Sequence, residues 1–526
     1  MPIPSERSPH IDTSAAIAPL WVTDDLLFHY QRCNRRAFLD TYGDASRRDT
    51  PNDYLAKLRQ DSVEYQLAVM EDAPIQRPRY PRRDWAAGAE ATLDLMRQGV
   101  DRIAYGVLTM PYGDRVQLVS CPKMLVRQPG ASIFGDWMYV PTDIKLGKRP
   151  KTDYQVVAAF HAFVLTQVQG VAPDTSWLVL RERSPHAVNL EEWLLRLDDV
   201  LEGCVAMLLE QAEPEVFIAR NRCDLCHWFS HCYGIAQTKQ HLSLLPGVTP
   251  SRYQQLEELQ LTHVEALAAM DASQLEGLPG FGVVVARKMV RQAQSLLYDI
   301  ALPYSADPHQ SLDTLDGLLL TPEELPTAPV ELYFDIEAAP EHDLIYLHGV
   351  LVVDRQAGTE VFHPLLAEHP DQEAAIWYQF LDLVWRYPDA PIFHFCPYEV
   401  QTVKRLAHRY PVEGDWLLPL LSRFVDLHER ITRVATMPVE SYALKSIARW
   451  IGFSWRDADA NGAQAIYWYD QWMTTGDRSY LDTILRYNED DCIATYRVKD
   501  WLTDFVRQVA LQGRRTRKRS RSSLRA

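Results

Sequence analysis

The sequence predicts a multi-domain α/β protein, and three observations carry that expectation. At 526 residues the chain is too long for one hydrophobic core, so about two to four domains are expected. Residues 1 to about 240 and 330 to 508 alternate β-rich runs with helical periodicity. Between them, residues 241 to 300 read as helix and tight turn alone. With 47% of its residues apolar, the chain can bury a core in each region.

In the first region, the β-rich runs RVQLVSC and WMYVPTDIKL lie among helical patterns. It closes on RNRCDLCHWFSHC, which sets Cys223, Cys226 and Cys232 within ten positions. LSLLPGVTPSRYQQLEELQLTHVEALAAM and QLEGLPGFGVVVARKMVRQAQSLL then each read as helix, tight turn, helix. Residues 301 to 329 contain prolines and little periodicity, as a linker does. From VELYFDIEAAP onward come a β-run, a second β-run LIYLHGVLVVD, a helix QEAAIWYQFLDLVWRY, a strand APIFHF, and mostly helix to residue 508. Strands first and helices after suggest a mixed sheet covered by helices. Residues 509 to 526 form a basic tail, with Arg514, Arg515, Arg517, Lys518, Arg519 and Arg521 in a Ser-rich run. Its composition suits either a disordered solubilising tail or a non-specific nucleic-acid arm.

The first twenty residues lack a basic start followed by an apolar stretch, and no run of about eighteen uncharged apolar residues follows. A soluble cytoplasmic protein with no membrane partner is expected. Eight cysteines are too sparse for a disulfide scaffold, and in a reducing compartment their local cluster points to metal. The net charge of −16 does not exclude nucleic acid, because phosphate binding needs only a local basic surface.

The strongest chemical signal is YFDIEAAP, an apolar strand that puts Asp335 and Glu337 two residues apart and hence on one face. Carboxylates buried side by side repel unless a cation lies between them. Hard oxygen ligands in this arrangement suit Mg²⁺ or Mn²⁺, and two ions need further acids. YNEDDCIATYRVKDWL sets Tyr487 and Asp491 one helical turn apart, and PIFHFCPYEVQTVKRL puts Glu399 at a helix start after a strand. Singly, these acids also read as a strand end and a solvated helix face bearing Glu489 and Asp490; their order along the chain favours a metal site. Strand acids and helix acids around two ions can cleave a phosphodiester.

In order and spacing, DIE, a later strand with an acidic helix start, and the terminal YNEDD resemble the three motifs of RNase H-like, DEDD-type 3′→5′ exonucleases, in the branch with tyrosine in the third motif. The resemblance spans roughly residues 330 to 508. It implies that Asp335, Glu337 and Asp491 bind metal and that Tyr487 orients the attacking water. Glu399 stands where the family carries Asp, so Glu399 or, in RFVDLHERI, Asp426 completes the site. In TMPVESYALKSIARWIGF, Ser441, Tyr442 and Lys445 lie on or just before an amphipathic helix, and Lys445 is a candidate phosphate contact.

In the middle region, Leu278, Pro279, Gly280, Phe281 and Gly282 separate two helices. Gly280 and Gly282 permit close backbone approach and leave amide N–H groups at the next helix start, a place for a phosphate. Arg287, Lys288 and Arg291 follow. This resembles a helix-hairpin-helix, a non-specific DNA-backbone module; the alternative is a hairpin that only spaces two domains.

Cys223, Cys226 and Cys232 supply three ligands, and a fourth can come from Cys33, Cys121 or Cys204, or from His227 or His231 at a zinc site. A lone early Cys with a late Cys-x2-Cys-x5-Cys resembles the iron–sulfur cluster of RecB-like nucleases, CRISPR-associated members included. That implies Cys33, Cys223, Cys226 and Cys232 around a structural [4Fe–4S] cluster, with zinc as the alternative. Cys121, Cys204, Cys396 and Cys492 read as core thiols. YVPTDIKLGKRP resembles the same family's strand motif through Asp143 and Lys145. The rest of that nuclease site departs from the family: Lys123 stands in place of a metal-binding Asp, and Val156 and Phe160 replace a Gln and a Tyr. An ammonium in place of a carboxylate defeats divalent-metal binding. A degenerate site is therefore expected here, with Glu64 or Asp136 the acids that could restore it.

The chain as a whole resembles a RecB-like nuclease domain joined through helix-hairpin-helix segments to an RNase H-like exonuclease. The expected function is a metal-dependent 3′→5′ exonuclease acting on nucleic acid, DNA favoured over RNA. The alternative is a nucleic-acid-binding or scaffold protein with both nuclease sites impaired. A helicase partner is compatible with the family and required by no residue.

Overall fold

The computed structural model describes residues 19–71, 74–304 and 320–523. The chain divides into two compact units, Met1–Val216 with Arg220–His231 and Phe217–Ala219 with Cys232–Ala526. Both are mixed α/β. Most of the expected linker, residues 305–319, lies outside the described residues, as does the end of the basic tail, residues 524–526. Among the described residues, no helix is long and apolar enough to cross a membrane.

The first unit has two sheets. In the smaller, β1 (Leu20–Thr23) runs parallel to β4 (Val116–Ser120), which pairs antiparallel with β3 (Leu108–Tyr112). The larger has the order β2-β5-β6-β7-β8, built from Arg102–Ala104, Met124–Ser132, Gly135–Lys145, Ser176–Leu180 and His186–Val188. The helix Thr152–Gln169 fills the core between these elements. Val156, Phe160, His161, Val164 and Leu165 are all buried on it, so it is apolar almost all round, as a helix with no solvent face must be. Val156 and Phe160, both fully buried, serve packing. Gly170 ends this helix at a φ of +75°, a left-handed cap that glycine adopts without strain.

In the second unit, five strands take the order β12-β11-β10-β13-β14. Around β10 (Val330–Ala339), β11 (Leu344–Asp354) pairs antiparallel and β13 (Ile392–His394) parallel. β12 (Thr359–Leu366) and β14 (Phe424–Asp426) are the edges. A two-stranded pair, β9 (Leu302–Pro303) with β15 (Ala435–Thr436), lies apart from this sheet.

Period-two alternation sorts β10 into two layers. Leu332, Phe334 and Ile336 enter one with Trp377, Phe380 and Val403, where the rings of Phe334 and Phe380 stack at 4.6 Å. Tyr333 enters the other, with Phe393, Ile447 and Leu502. That second layer is roofed by the helix Arg478–Ser523, which continues through the basic tail to its last described residue. Arg and Lys are good helix formers, and the run contains no proline to stop it.

One buried ion pair fixes this helix to the sheet. Lys499 Nζ lies 2.7 Å from Glu331 Oε1, with both side chains almost fully shielded from solvent. Glu331 Oε2 also accepts from Tyr333 Oη at 2.8 Å and from Arg355 Nε at 2.7 Å.

The middle segment packs within the same unit. Its helix Gly282–Tyr298 buries Ala286, Met289, Val290 and Ala293. Gln292 Nε2 donates to the Met437 carbonyl at 2.6 Å, and Ser295 Oγ to that of Thr436 at 3.1 Å. The Tyr442 hydroxyl donates to Gln292 Oε1 at 2.9 Å and accepts from the Met437 N–H, so this tyrosine serves docking and does not face a ligand.

Replacing Lys499 with Met should cost about 3 kcal/mol or more, because it strands a buried carboxylate. Urea denaturation at neutral pH checks this: a loss below about 1 kcal/mol would show that Arg355 and Tyr333 alone satisfy Glu331.

Candidate metal centre

The sheet and its roof converge on three acids. Asp335 and Glu337 leave β10 on the face opposite Phe334 and Ile336, and Asp491 meets them from the helix Arg478–Ser523. Their ligand oxygens all lie within 4.8 Å of one another. Among the described residues this is the one group of three or more His, Cys, Asp or Glu side chains so gathered. Glu337 and Asp491 are buried and Asp335 partly so.

Burial and mutual repulsion act together here. Burial, and then the charges of Asp491, Glu337 and Glu399, hold Asp335 well above the ordinary carboxylate range. Burial and Asp491 do the same to Glu337. Burial pushes Asp491 up to about 7, against hydrogen bonds from Trp455 and Tyr487 and the charge of Lys445. Three hard oxygen donors that resist ionising together fit a divalent cation such as Mg²⁺ or Mn²⁺, which would favour the charged form of all three.

The surrounding side chains hold this geometry. Trp455 Nε1 donates to Asp491 Oδ1 at 2.7 Å, and Tyr487 hydrogen-bonds the same carboxylate. Asn488 Nδ2 donates to Asp335 Oδ2 at 2.6 Å and also bonds Glu337. Asn488 fits only because residue 349 on β11 is glycine: a Cβ there would lie 1.7 Å from Asn488 Oδ1. Arg456 ties down the neighbouring acids, Asp490 at 2.8 Å and Glu489 at 2.6 Å. Asp491 is thereby singled out from the acidic run.

Glu399 occupies the first turn of the helix Tyr398–Arg409 and is buried, with Oε2 at 3.3 Å from His394 Nδ1. Burial raises its pKa, and its charge reaches Asp335. Asp426 does other work. Its Oδ1 accepts from the Cys396 N–H at 3.1 Å and caps the helix Leu427–Val434 through the Glu429 N–H. Cys396 needs that support, since its φ of +75° is strained for a residue with a side chain. Glu399 is not among the acids gathered within 4.8 Å, yet of the two it is Glu399 whose charge is among those acting most on Asp335.

Lys445 stands beside the centre. Its Nζ lies 5.2 Å from the Trp455 ring and 5.3 Å from the Tyr487 ring, and burial lowers its pKa. In the middle segment, Gly247 and Gly280 both take positive φ, +86° and +81°, as does Gly282 at +69°. Arg252 links the two turns, donating to the Gly280 carbonyl at 2.9 Å and to that of Gly247 at 2.7 Å. Of the basic residues that follow, Arg287 is exposed, Lys288 is half-buried near the Tyr304 and Tyr442 rings, and Arg291 donates to the Pro303 carbonyl.

The acid of the first unit is neutralised from within. Asp143 is buried, with Lys145 Nζ 2.7 Å and His161 Nε2 3.8 Å from its Oδ2. Burial alone would raise its pKa, but Lys145, His161 and Lys123 hold it well below the ordinary range. His161 Nδ1 is 2.7 Å from Ser120 Oγ. Glu64 and Asp136 are exposed and do not join Asp143. Sequence reasoning missed Asp24, a buried acid that accepts the Cys121 N–H at 3.0 Å and feels the charges of His161, Lys123 and Asp143. It also missed Asn488 and Trp455. Asn488 sits inside YNEDD, where the acids drew the eye, and no spacing rule connects Trp455 to the motifs.

The cysteines form no disulfide. Cys33 lies between the helices Asp24–Arg32 and Asn34–Tyr42, and its thiol adds to the burial that raises the Cys226 pKa. Cys223 accepts the Cys226 N–H through its carbonyl, and Cys232 falls in the second unit. Among the described residues, no ligand group like that of the triad includes these thiols. His227 Nε2 lies 2.6 Å from Asp40 Oδ1, so this nitrogen is already engaged.

Residues 332–503 match the family model RNase_H_2 of the RNase_H superfamily. The match covers β10 from Leu332 on, together with Glu399, Tyr487 and Asp491, and so all three acids of the centre. No curated protein matches the chain. The C-terminal region is thus RNase H-like, a fold that points to nuclease-like processing of nucleic acid.

Two outcomes test the geometry. Asp491 titrates near 3.8 unfolded and about 7 folded, so the folded state keeps its proton longer. Without metal, stability should fall as pH rises from about 4 to about 7, while Mn²⁺ should bind more tightly over the same interval. Melting temperature against pH, with and without Mn²⁺, reads both, and a pH-independent metal response would contradict the assignment. Gly349→Ala should cost about 1–3 kcal/mol by overpacking and weaken Mn²⁺ binding by displacing Asn488; retained affinity would show that Asn488 does not set the acids.

Proposed function

We propose that the chain is a metal-dependent nuclease that removes nucleotides from 3′ ends, DNA favoured over RNA, with its chemistry in the C-terminal domain. The observation that carries this reading is the buried Asp335, Glu337 and Asp491 group on an RNase H-like fold. Glu399 is the fourth acid.

Two divalent cations in this group would supply charge to activate a water and to stabilise the leaving oxygen. The chain's own residues do the rest. Asp335, Glu337, Asp491 and Glu399 provide the oxygen donors. Tyr487, whose pKa burial and the neighbouring acids raise, stays protonated and serves to orient the water, not to abstract its proton. Lys445, over the Tyr487 ring, offers its ammonium to the scissile phosphate. The glycine turns at Gly247 and Gly280, with Gly282, Arg287 and Lys288, would hold the nucleic-acid backbone. A structural [4Fe–4S] cluster, or zinc, at the cysteines belongs to the same reading, which the spacing of Cys223 and Cys226 and the nearness of Cys33 to Cys226 support. Asp143 and Lys145, already paired, would leave the first unit without a metal site of its own.

The test is digestion of end-labelled single- and double-stranded DNA and RNA with Mg²⁺ or Mn²⁺, beside Asp335→Ala and Asp143→Ala. Laddering from 3′ ends should fall in Asp335→Ala by more than the roughly 100-fold that loss of an outer hydrogen-bond partner costs, and persist in Asp143→Ala. Loss only in Asp143→Ala would move the chemistry to the first unit. Binding without cleavage of any substrate would make the chain a nucleic-acid scaffold.

A further inference from the structure

The register of β10 against β11 slips once, between Glu337 and Ala338. Glu337 pairs with Leu347 and Ala338 with Ile345, so Tyr346 is an extra residue with no partner across the ladder. A bulge of this kind re-aims a side chain. Without it, alternation would send Tyr346 to the face opposite Leu347. Instead both residues enter one apolar group with Tyr469, Leu481 and Ile484, on the side of the sheet where Glu337 emerges.

There the Tyr346 ring stacks on Tyr469, with centroids 3.9 Å apart and planes 6° from parallel. Both rings are shielded from solvent, and neither hydroxyl has a hydrogen-bond partner. An unsatisfied hydroxyl in a core is costly and calls for an explanation, of which use in another state of the site is one. The charges felt most strongly by the Tyr346 hydroxyl include those of Glu337 and Asp335. Its burial excludes direct contact with a substrate.

We propose that Tyr346 is a positioning residue of the metal centre, placed by the bulge on the face of Glu337 so that its otherwise unpartnered hydroxyl donates to that ligand when metal is bound. Tyr469 holds the ring in place from below. This inference rests on the reading of Asp335, Glu337 and Asp491 as a metal site, and its test separates the two.

Mn²⁺ affinity, read from the electron paramagnetic resonance of the unbound ion, and melting temperature are measured on the full-length chain as wild type, Tyr346→Phe and Tyr469→Phe. Tyr346→Phe, which deletes only an unpartnered hydroxyl, should melt no lower than wild type without metal and bind Mn²⁺ about tenfold more weakly, as loss of an outer hydrogen bond to a ligand does. Tyr469→Phe keeps the stacked ring and should bind like wild type. If wild type itself ignores Mn²⁺, the metal centre fails and this inference with it. If wild type binds while Tyr346→Phe binds equally well, or while both variants weaken alike, the centre stands and the role of Tyr346 is overturned. A lower melting temperature of metal-free Tyr346→Phe would show that the hydroxyl already has a partner, and would overturn it too.

Discussion

Repulsion among three carboxylates, two buried and one partly so, is the constraint around which the C-terminal domain is arranged. Asp335, Glu337 and Asp491 are brought within 4.8 Å by a strand and a helix that have strong apolar reasons to pack where they do. The Phe334 and Phe380 stack on one side of the sheet and the Lys499 to Glu331 pair on the other hold the elements in register. Asn488, Trp455 and Tyr487 then orient the oxygens. Such an arrangement is unfavourable in isolation and becomes favourable when positive charge arrives.

The first unit solves the same electrostatic problem in the opposite way. Asp143 is as deeply buried as any of the three, yet Lys145, His161 and Lys123 answer its charge from within the fold. A side-chain ammonium lies 2.7 Å from the carboxylate. Val156 and Phe160 pack on a helix buried nearly all round.

Much of this was legible in the sequence because it depends on local period. Two-residue spacing put Asp335 and Glu337 on one face, and four-residue spacing put Tyr487 above Asp491. The mixed sheet and its helical roof followed from the order of apolar runs. What could not be read depended on tertiary neighbours. That Asp426 is spent on a helix cap and on the strained backbone of Cys396 is one such case. The role of Tyr442 is decided by Gln292, 150 positions away. Gly349 matters only because Asn488 lies against it, and Asp24 only because a sheet brings it near Asp143. The bulge that turns Tyr346 has no signature in composition at all.

The helix that delivers Asp491 is also the one that runs on into the arginine-rich end of the chain. From Asp491 to Ser523 it is continuous, a rod of roughly 48 Å at the ordinary rise per residue. Asp491 and the last described turn of the chain therefore share one helix axis. Inserting a single residue between them would swing the charged end by about 100° while leaving the carboxylates untouched. The length of helix beyond Asp491 sets where the chain's backbone ends relative to the carboxylates.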